Sequence, residues 1–263
     1  MAAGPRISIV TVTFNAEKVV EKTILSVVGQ TWDNLEYLII DGASKDGTLA
    51  IVDKYRDRIA CVVSEPDKGL YDAMNKGIRM ATGEWILFMN ADDVFVDKDV
   101  VADVAAFIGT HPEAEVVYGN TEQILEHGVY TFRSETPYRD HKIMFCHQSV
   151  FVRADVLRTH PFELIYRYAA DYEQLSHFYL EGRKFAHIDR TVARMELRGG
   201  VTMKNEIASA EELYAIIASR GVDISAEKNK VIRRKKLVRR FKRILGPLAR
   251  PVLRLVAKCY KPL

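Results

Sequence analysis

Residues 85–93 read WILFMNADD, an apolar run followed by Asn90, Ala91 and the adjacent carboxylates Asp92 and Asp93. Neighbouring like charges repel, so such a pair at the end of a buried element needs a cation, a helix N-terminus or solvent. Two readings follow. Either the pair caps a helix whose pattern resumes near Asp97, or it faces a hard divalent cation, Mn2+ or Mg2+, because no histidine or cysteine cluster accompanies it. Magnesium-type sites complete their shell with water and substrate phosphates, which points to a phosphate or diphosphate substrate. Neither GxGxxG nor GxxxxGK[ST] occurs in the chain, so no glycine-rich loop is available to cradle a diphosphate and a metal would have to hold it.

The elements that must position these groups are legible in the first ninety residues. Four apolar runs read as strands: ISIVTVT from Ile7, LEYLII from Leu35, IACVVS from Ile59 and WILFMN from Trp85. Helical patterns alternate with them, through Val20, Ile24, Val27 and Val28, through Leu49, Val52 and Tyr55, and through Leu70, Met74 and Ile78. Strands apolar on both faces and joined by helices imply a parallel sheet covered on both sides, with ligands beyond the carboxyl ends of its strands. Each strand empties there into a polar loop: TFNAE, DGASKDGT, EPDKGLYDAMNKG and NADD. From Val116 the pattern changes to short strand-like runs, a helical stretch from Asp171 to Leu180, a strand over KFAHIDRTVARMEL and a helix from about Asn205 to Ser219. The fold class is therefore α/β, a Rossmann-related, mostly parallel sheet flanked by helices with a mixed-strand extension.

SIVTVTFNAEKVVEKTILSVVGQTWDNLEYLIIDGASKDGT, followed by EPDKGLYDAMNKGIRMATGEWILFMNADD, closely resembles the inverting family 2 glycosyltransferases of GT-A fold. The likeness is dense over the first hundred residues and looser through CHQSVFVRADVL, YAADYEQL and RGGVT. It implies roles by position: Thr13 and Asn15 where the first strand meets the nucleobase, Asp41 against the base, and Asp67 in the loop that holds the nucleotide. Asp92 matches the second aspartate of the family's metal-binding DxD, with Asp93 beside it, while Asn90 replaces the first. Asp171 matches the acidic residue that takes the acceptor proton, with Glu173 as the alternative and a plain helix cap as the competing reading. His147 and Gln148 match a segment on the acceptor side, against which stands an ordinary structural histidine. Arg198, in RGGVT, is either a cationic partner closing over the diphosphate or part of a Gly-Gly turn. Asp46 and Thr48 read as turn and cap residues first, and Tyr71 and Trp85 as packing.

Composition limits the rest. The three cysteines are dispersed and show no CxxC, so neither a disulfide framework nor a cysteine zinc site is expected and a reducing, cytoplasmic setting fits. No signal-peptide pattern and no stretch of 18 apolar residues is present. The net charge of +3 conceals an asymmetry: residues 228–263 carry 14 Lys and Arg and no acid, leaving 24 basic residues against 35 acidic ones in 1–227. In that tail Val231, Leu237, Val238, Phe241, Ile244, Leu245 and Leu248 share one helical stripe, broken at Gly246-Pro247. A basic amphipathic helix suits an anionic membrane surface; packing on the acidic body and nucleic-acid binding are the competing readings, the latter weakened by the lack of aromatic interleaving.

The sequence thus sets these expectations. Residues 1–115 form the nucleotide-sugar-binding half of a GT-A domain, 116–227 the acceptor and catalytic-base half, and 228–263 a membrane-associating tail. The partners are a nucleotide-sugar donor, UDP-linked, and a lipid-linked glycan acceptor, with no nucleic acid. The location is peripheral on the inner face of the plasma membrane. A nucleotidyltransferase is the first rival, although TFNAE supplies no glycine- and lysine-rich phosphate loop. A catalytically silent scaffold is the second, with Asn90 as its foothold.

Overall fold

The computed structural model describes residues 4–125, 128–133, 136–197 and 205–245, the last five of these in backbone only. Two compact units divide the chain, 1–200 and 201–263.

In the first unit, β1 (Ile7–Thr13), β2 (Leu35–Asp41), β3 (Cys61–Ser64) and β4 (Trp85–Phe88) alternate with α1 (Val20–Val28), α2 (Thr48–Asp53) and α3 (Leu70–Met80). A two-residue β5 (Val94–Phe95) and α4 (Val100–Thr110) follow. The second part of the unit contains β6 (Val116–Leu125), β7 (Gly128–Phe132), β8 (Tyr138–Arg139), β9 (Lys142–Ile143), β10 (Val150–Arg153), α5 (Ala154–Thr159), α6 (Ala170–Leu180) and β11 (Phe185–Glu196).

The main sheet runs β3-β2-β1-β4-β10-β6-β11-β5, with β7 paired to β6 beside this path. The first four strands are mutually parallel, β10 is antiparallel to both its neighbours, and β6 and β11 are parallel again. Chain order reverses direction about β1: β2 lies on one side and β4 on the other. That is the topological switch point at which open sheets bind ligands beyond their strand ends.

Side-chain alternation builds a core on each face. Ile7, Ile9, Tyr37, Ile39, Trp85 and Leu87 pack with Val20, Ile24, Val27 and Val104 on one side, and Val10, Val12, Leu38, Ile40, Ile86 and Phe88 with Met74, Ile78 and Phe178 on the other. Buried positions in α1 recur at Val20, Thr23, Ile24 and Val27, the spacing that puts one helical face on the sheet. On the opposite face α3 comes so close that a Cβ at Gly77 would lie 2.5 Å from Val10 Cγ1.

The sheet's other edge solves a different problem. Glu36, at the start of β2, is 6% exposed. Burial pushes its pKa up, but Ser8 Oγ at 2.5 Å, the Thr82 hydroxyl at 2.6 Å, the Thr82 backbone N–H at 2.7 Å and Arg6 at 3.2 Å outweigh that and hold it low. This buried carboxylate is fully partnered and far from the strand C-termini, so it serves the fold.

The second unit contains α7 (Glu206–Ser219) and α8 (Ser225–Leu245), joined by contacts of Tyr214 Oη with Glu227 at 2.9 Å and Lys235 with Glu206 at 3.3 Å. In α8 Ile232 is buried, while Leu237 is 55% exposed among basic neighbours. No helix among the described residues is long and apolar enough to cross a membrane. The expected break at Gly246-Pro247, Leu248 and the second apolar pattern lie outside the described residues, as does Arg198.

Candidate active site

Strain marks the carboxyl edge of the sheet. Asn15, Ala43 and Asp92 have φ of 48°, 61° and 94°, a region few non-glycine residues occupy, and all three follow β1, β2 or β4. Asp92 is held there by Thr23 of α1. The buried Thr23 hydroxyl accepts from the Asp92 N–H at 3.0 Å and donates to the Asp93 carbonyl at 2.8 Å.

This turn excludes the helix-cap reading of NADD. The next helix, α4, starts only at Val100, with Asp99 at its N-cap, after β5 has paired with β11. Asp92 and Asp93 therefore do not cap a helix. Their environments differ: Asp92 is one-third exposed and paired with the Lys22 ammonium, while Asp93 is 8% exposed and accepts from Gln148 Nε2 at 3.1 Å.

Burial is the largest influence on Asp93 and raises its pKa to about 6, with Asp92 adding to the rise and His147, Gln148 and Lys22 opposing it. The folded carboxyl thus keeps its proton to higher pH than the unfolded one, whose ordinary value is 3.8. Between about pH 4 and 6 the native state binds more protons, so stability falls as pH rises through that window and levels off above it. Without added metal, Asp93→Asn is expected to stabilise the protein by up to ~3 kcal/mol above pH 6 and by nothing below pH 4, from about two pKa units at 1.36 kcal/mol each. Melting temperatures of both proteins in EDTA across this range check it; a difference that does not change with pH would refute the burial argument.

Asn90 links two halves of the site. Its Nδ2 lies 3.0 Å from His147 Nε2, and His147 Nδ1 lies 2.9 Å from Asp171 Oδ2. Tyr71 Oη donates to the other Asp171 oxygen at 2.8 Å. Asp171 is the second residue of α6, whose N-cap is Ala169 with no side-chain cap bond, so its carboxylate faces His147 and Tyr71 instead of capping the helix. Burial pushes Asp171 towards neutrality, but His147 and Tyr71 prevail and lower its pKa. Burial likewise disfavours charge on His147, and Asp171 and Asp93 together raise it. Glu173 turns elsewhere, with Oε2 2.9 Å from His160 Nε2.

The donor set suits a hard divalent ion. Asn90 Oδ1 is buried without a hydrogen-bond partner, an orphaned oxygen of the type such ions take, and the Asp92 carboxylate already holds one cation in Lys22. Thr13 Oγ1 and Gln148 Oε1 are orphaned at the same edge.

At the ends of β1 and β2 the expected nucleotide residues divide. Asp41 is fully buried and fixed by Ser44 and Ser64 hydroxyls at 2.5 and 2.6 Å. Asn15 stitches loops together, its N–H donating to Ser44 and its Oδ1 accepting from Lys45 N–H. Asp67 accepts from Gly69 N–H at 2.8 Å and approaches the β2 loop so closely that a Cβ at Gly42 would lie 2.5 Å from its Oδ2. Asp46 and Thr48 serve the turn, as expected: Asp46 accepts from the Thr48 hydroxyl and N–H and from Glu17 N–H.

Phe14, which the sequence reading passed over, is 63% exposed beside Gly42. A large aromatic side chain left in water at a binding edge is the signal that could have found it. Lys22 and Thr23 were hidden because both are part of an ordinary helical pattern. Tyr71 does pack, with its ring 5.3 Å from that of Phe162, and it also donates to Asp171.

The model of glycosyl transferase family 2 matches residues 8–170, from β1 to the first residue of α6. A PGL/p-HBAD biosynthesis glycosyltransferase of Mycobacterium tuberculosis is 35% identical over 179 residues, 65% of this chain and 68% of that one. Putative glycosyltransferase EpsE of Bacillus subtilis is 30% identical over 168 residues, 60% of each. Among solved structures, residues 1–349 of S. aureus TarS in complex with UDP-GlcNAc superpose with a TM-score of 0.66 at 22% identity, covering 86% of this chain and 70% of that one. The Pyrobaculum calidifontis mannosyltransferase PcManGT in complex with GDP-Man and Mn2+ gives 0.66 at 19%, covering 99% and 77%. At these identities the structures speak to the fold, which is GT-A. With the family match running through β1, the NADD turn and the His147 segment to the threshold of Asp171, the chain belongs to glycosyl transferase family 2.

Proposed function

We propose that this glycosyltransferase is metal-dependent and inverting, and moves a sugar from a UDP-sugar to a hydroxyl of a lipid-linked glycan in surface-polysaccharide synthesis. The observation that carries the reading is the arrangement at one sheet edge: an ionised, partnered Asp171 joined through His147 to Asn90, which shares its turn with Asp92.

The nucleobase would lie at the ends of β1 and β2, stacked on the exposed Phe14 and bounded by Thr13, Asn15, Asp41 and Asp67. Asn90 Oδ1 and the Asp92 carboxylate would hold Mn2+ or Mg2+, with Asp92 exchanging its Lys22 partner for the ion and Asp93 supporting the turn from behind. When bound, that ion neutralises charge on the diphosphate leaving group. Arg198 is assigned to the same diphosphate.

Asp171 takes the proton from the acceptor hydroxyl as its oxygen forms the new bond to the anomeric carbon and the bond to the diphosphate breaks on the opposite face. His147 Nδ1 and Tyr71 Oη each occupy one lone pair of the carboxylate, fixing its plane and leaving a further lone pair on each oxygen for the proton. Gln148 and His147 form the acceptor-side wall. The basic, half-exposed α8 and the tail beyond it would hold the enzyme at the inner face of the plasma membrane, where a lipid-linked acceptor is found. The two functional halves of the domain are assigned to residues 1–115 and 116–227.

Thermal stability with UDP, GDP, CDP and dTDP, each with and without Mn2+, beside Asp92→Ala, tests this. A shift with UDP that needs both Mn2+ and Asp92 is expected. The same shift in the variant, or one indifferent to metal, would remove the metal from the mechanism.

A further inference from the structure

Between α5 and α6 the chain makes a turn whose tip is apolar. The Tyr166 N–H donates to the Glu163 carbonyl at 3.2 Å, closing a four-residue turn with Leu164 and Ile165 at its two central positions. Turns favour Gly, Pro, Asn, Asp and Ser. This one holds two large aliphatic side chains, which stand 46% and 77% exposed. We propose that this tip inserts into a phospholipid bilayer, so that the unit carrying the active site contacts the membrane directly.

Single exposed apolar residues are ordinary, but this adjacent pair is held out on a fixed turn. On the way in, the buried Asn75 of α3 binds the Phe162 main chain twice, donating to its carbonyl at 2.8 Å and accepting from its N–H at 2.9 Å. The Phe162 ring packs 5.3 Å from that of Tyr71 and edge-on to Phe88 at 5.5 Å. On the way out, Ala169 and Ala170 are buried where α6 begins. The tip therefore loses little conformational freedom on insertion. Behind it stand residues suited to the headgroup layer. Tyr166 and Tyr168 are half-buried and Arg167 is exposed, its guanidinium 5.7 Å from the centre of the Tyr168 ring. Tyrosines settle at the boundary of hydrocarbon and water, and an arginine reaches from apolar surroundings to lipid phosphates. Glu163 is matched by Arg167, so residues 162–169 carry no net charge to oppose entry.

The size of the tip selects the occupant. A stable protein interface needs roughly 800 Å² from each partner, far more than two side chains supply, whereas a bilayer takes up a protruding aliphatic group without a complementary pocket. Position gives the insertion a consequence. Ile165 and Asp171 are six residues apart, so their backbones lie at most about 22 Å from one another. A tip in the bilayer keeps the proposed base near the headgroups, where a lipid-linked acceptor presents its hydroxyl. The inference rests on that reading of the acceptor and adds a membrane contact separate from α8.

The test uses the full-length protein and vesicles of equal parts phosphatidylcholine and phosphatidylglycerol. In Ile165→Trp the emission of the added indole, with wild type as the blank for Trp32 and Trp85, is expected to shift to the blue on adding vesicles and to be quenched by phosphatidylcholine brominated in its acyl chains. Ile165→Asn suits the turn and should leave Tm unchanged. It is expected to weaken co-sedimentation with the vesicles by about 10-fold or more, the factor that burying one such side chain supplies. Wild type that co-sediments while the indole neither shifts nor is quenched, or Ile165→Asn that binds as well as wild type, would overturn the insertion and leave membrane association to α8. Wild type that does not bind the vesicles would overturn both. An indole shift that follows protein concentration without lipid would mean that the tip packs on a second copy of the chain, and would overturn the insertion as well.

Discussion

Asp171→Asn is expected to lower sugar transfer by about 10²- to 10⁴-fold, the range that a positioned general base contributes, while leaving UDP-dependent stabilisation in Mn2+ unchanged. The amide keeps the shape of the carboxylate. His147 Nδ1–H can still donate to its oxygen, so the contacts that orient the start of α6 survive. What disappears is a site able to receive a proton. Glu173 cannot substitute, because its Oε2 is engaged with His160 at 2.9 Å. The loss should therefore appear in kcat and kcat/KM together, the signature of an interaction made in the transition state, and no increase in pH should restore it. Turnover within about 10-fold of wild type would exclude Asp171 as the base and return it to a role in ordering α6.

Parts of this site could be read from the sequence and parts could not, for physical reasons. The runs at Ile7, Leu35 and Trp85 were legible because both sheet faces are covered, so every residue of β1 is buried and the strand reads as a β-branched, mostly apolar run interrupted only by Ser8 and two threonines. β5 left no trace. Two residues carry no periodicity, and Val94 and Phe95 become a strand only by pairing with Arg194 and Ala193 about a hundred positions away. The candidate catalytic carboxylate was identified, but its controls were not: Tyr71 lies 100 residues away in sequence and looked like core, which it also is. Residue type marked Asp92 and Asp93 as a like-charged pair that the fold must accommodate, while the division between them, one a third exposed and the other buried on Gln148, came from the fold. At Phe14 the expectation fell on its neighbours, Thr13 and Asn15. In the structure Thr13 is buried, Asn15 is exposed but tied to Ser44 and Lys45, and the Phe14 ring stays in solvent.

The second large effect is expected at His147. Burial alone would raise the pKa of Asp171; His147, aided by Tyr71, reverses that. Without the imidazole, burial prevails, Asp171 holds its proton longer, and the acidic limb of kcat/KM should move to higher pH in His147→Gln, by about one unit or more for an opposite charge removed at hydrogen-bond distance. Near the wild-type limb this means a loss of about 10-fold or more in rate, recovered as pH rises and Asp171 ionises again. That recovery separates the variant from Asp171→Asn, which stays inactive at every pH. The limb belongs to the His147–Asp171 pair and reports their joint titration.

Asn90 extends the coupling to the donor side. A neutral His147 ring accepts at Nε2 from the Asn90 amide N–H and leaves Oδ1 free for a cation, whereas a ring protonated at both nitrogens needs an acceptor there, which Asn90 can supply only by turning its Oδ1 away from the metal. Lowering the pH should therefore weaken Mn2+-dependent nucleotide binding in wild type through His147, beyond whatever Asp92 contributes, and His147→Gln should lose that part of the dependence. Measuring UDP affinity in Mn2+ from pH 5.5 to 8 in both proteins checks this. An acidic limb that stays in place, or a metal dependence on pH identical in the two, would mean that the imidazole serves packing alone.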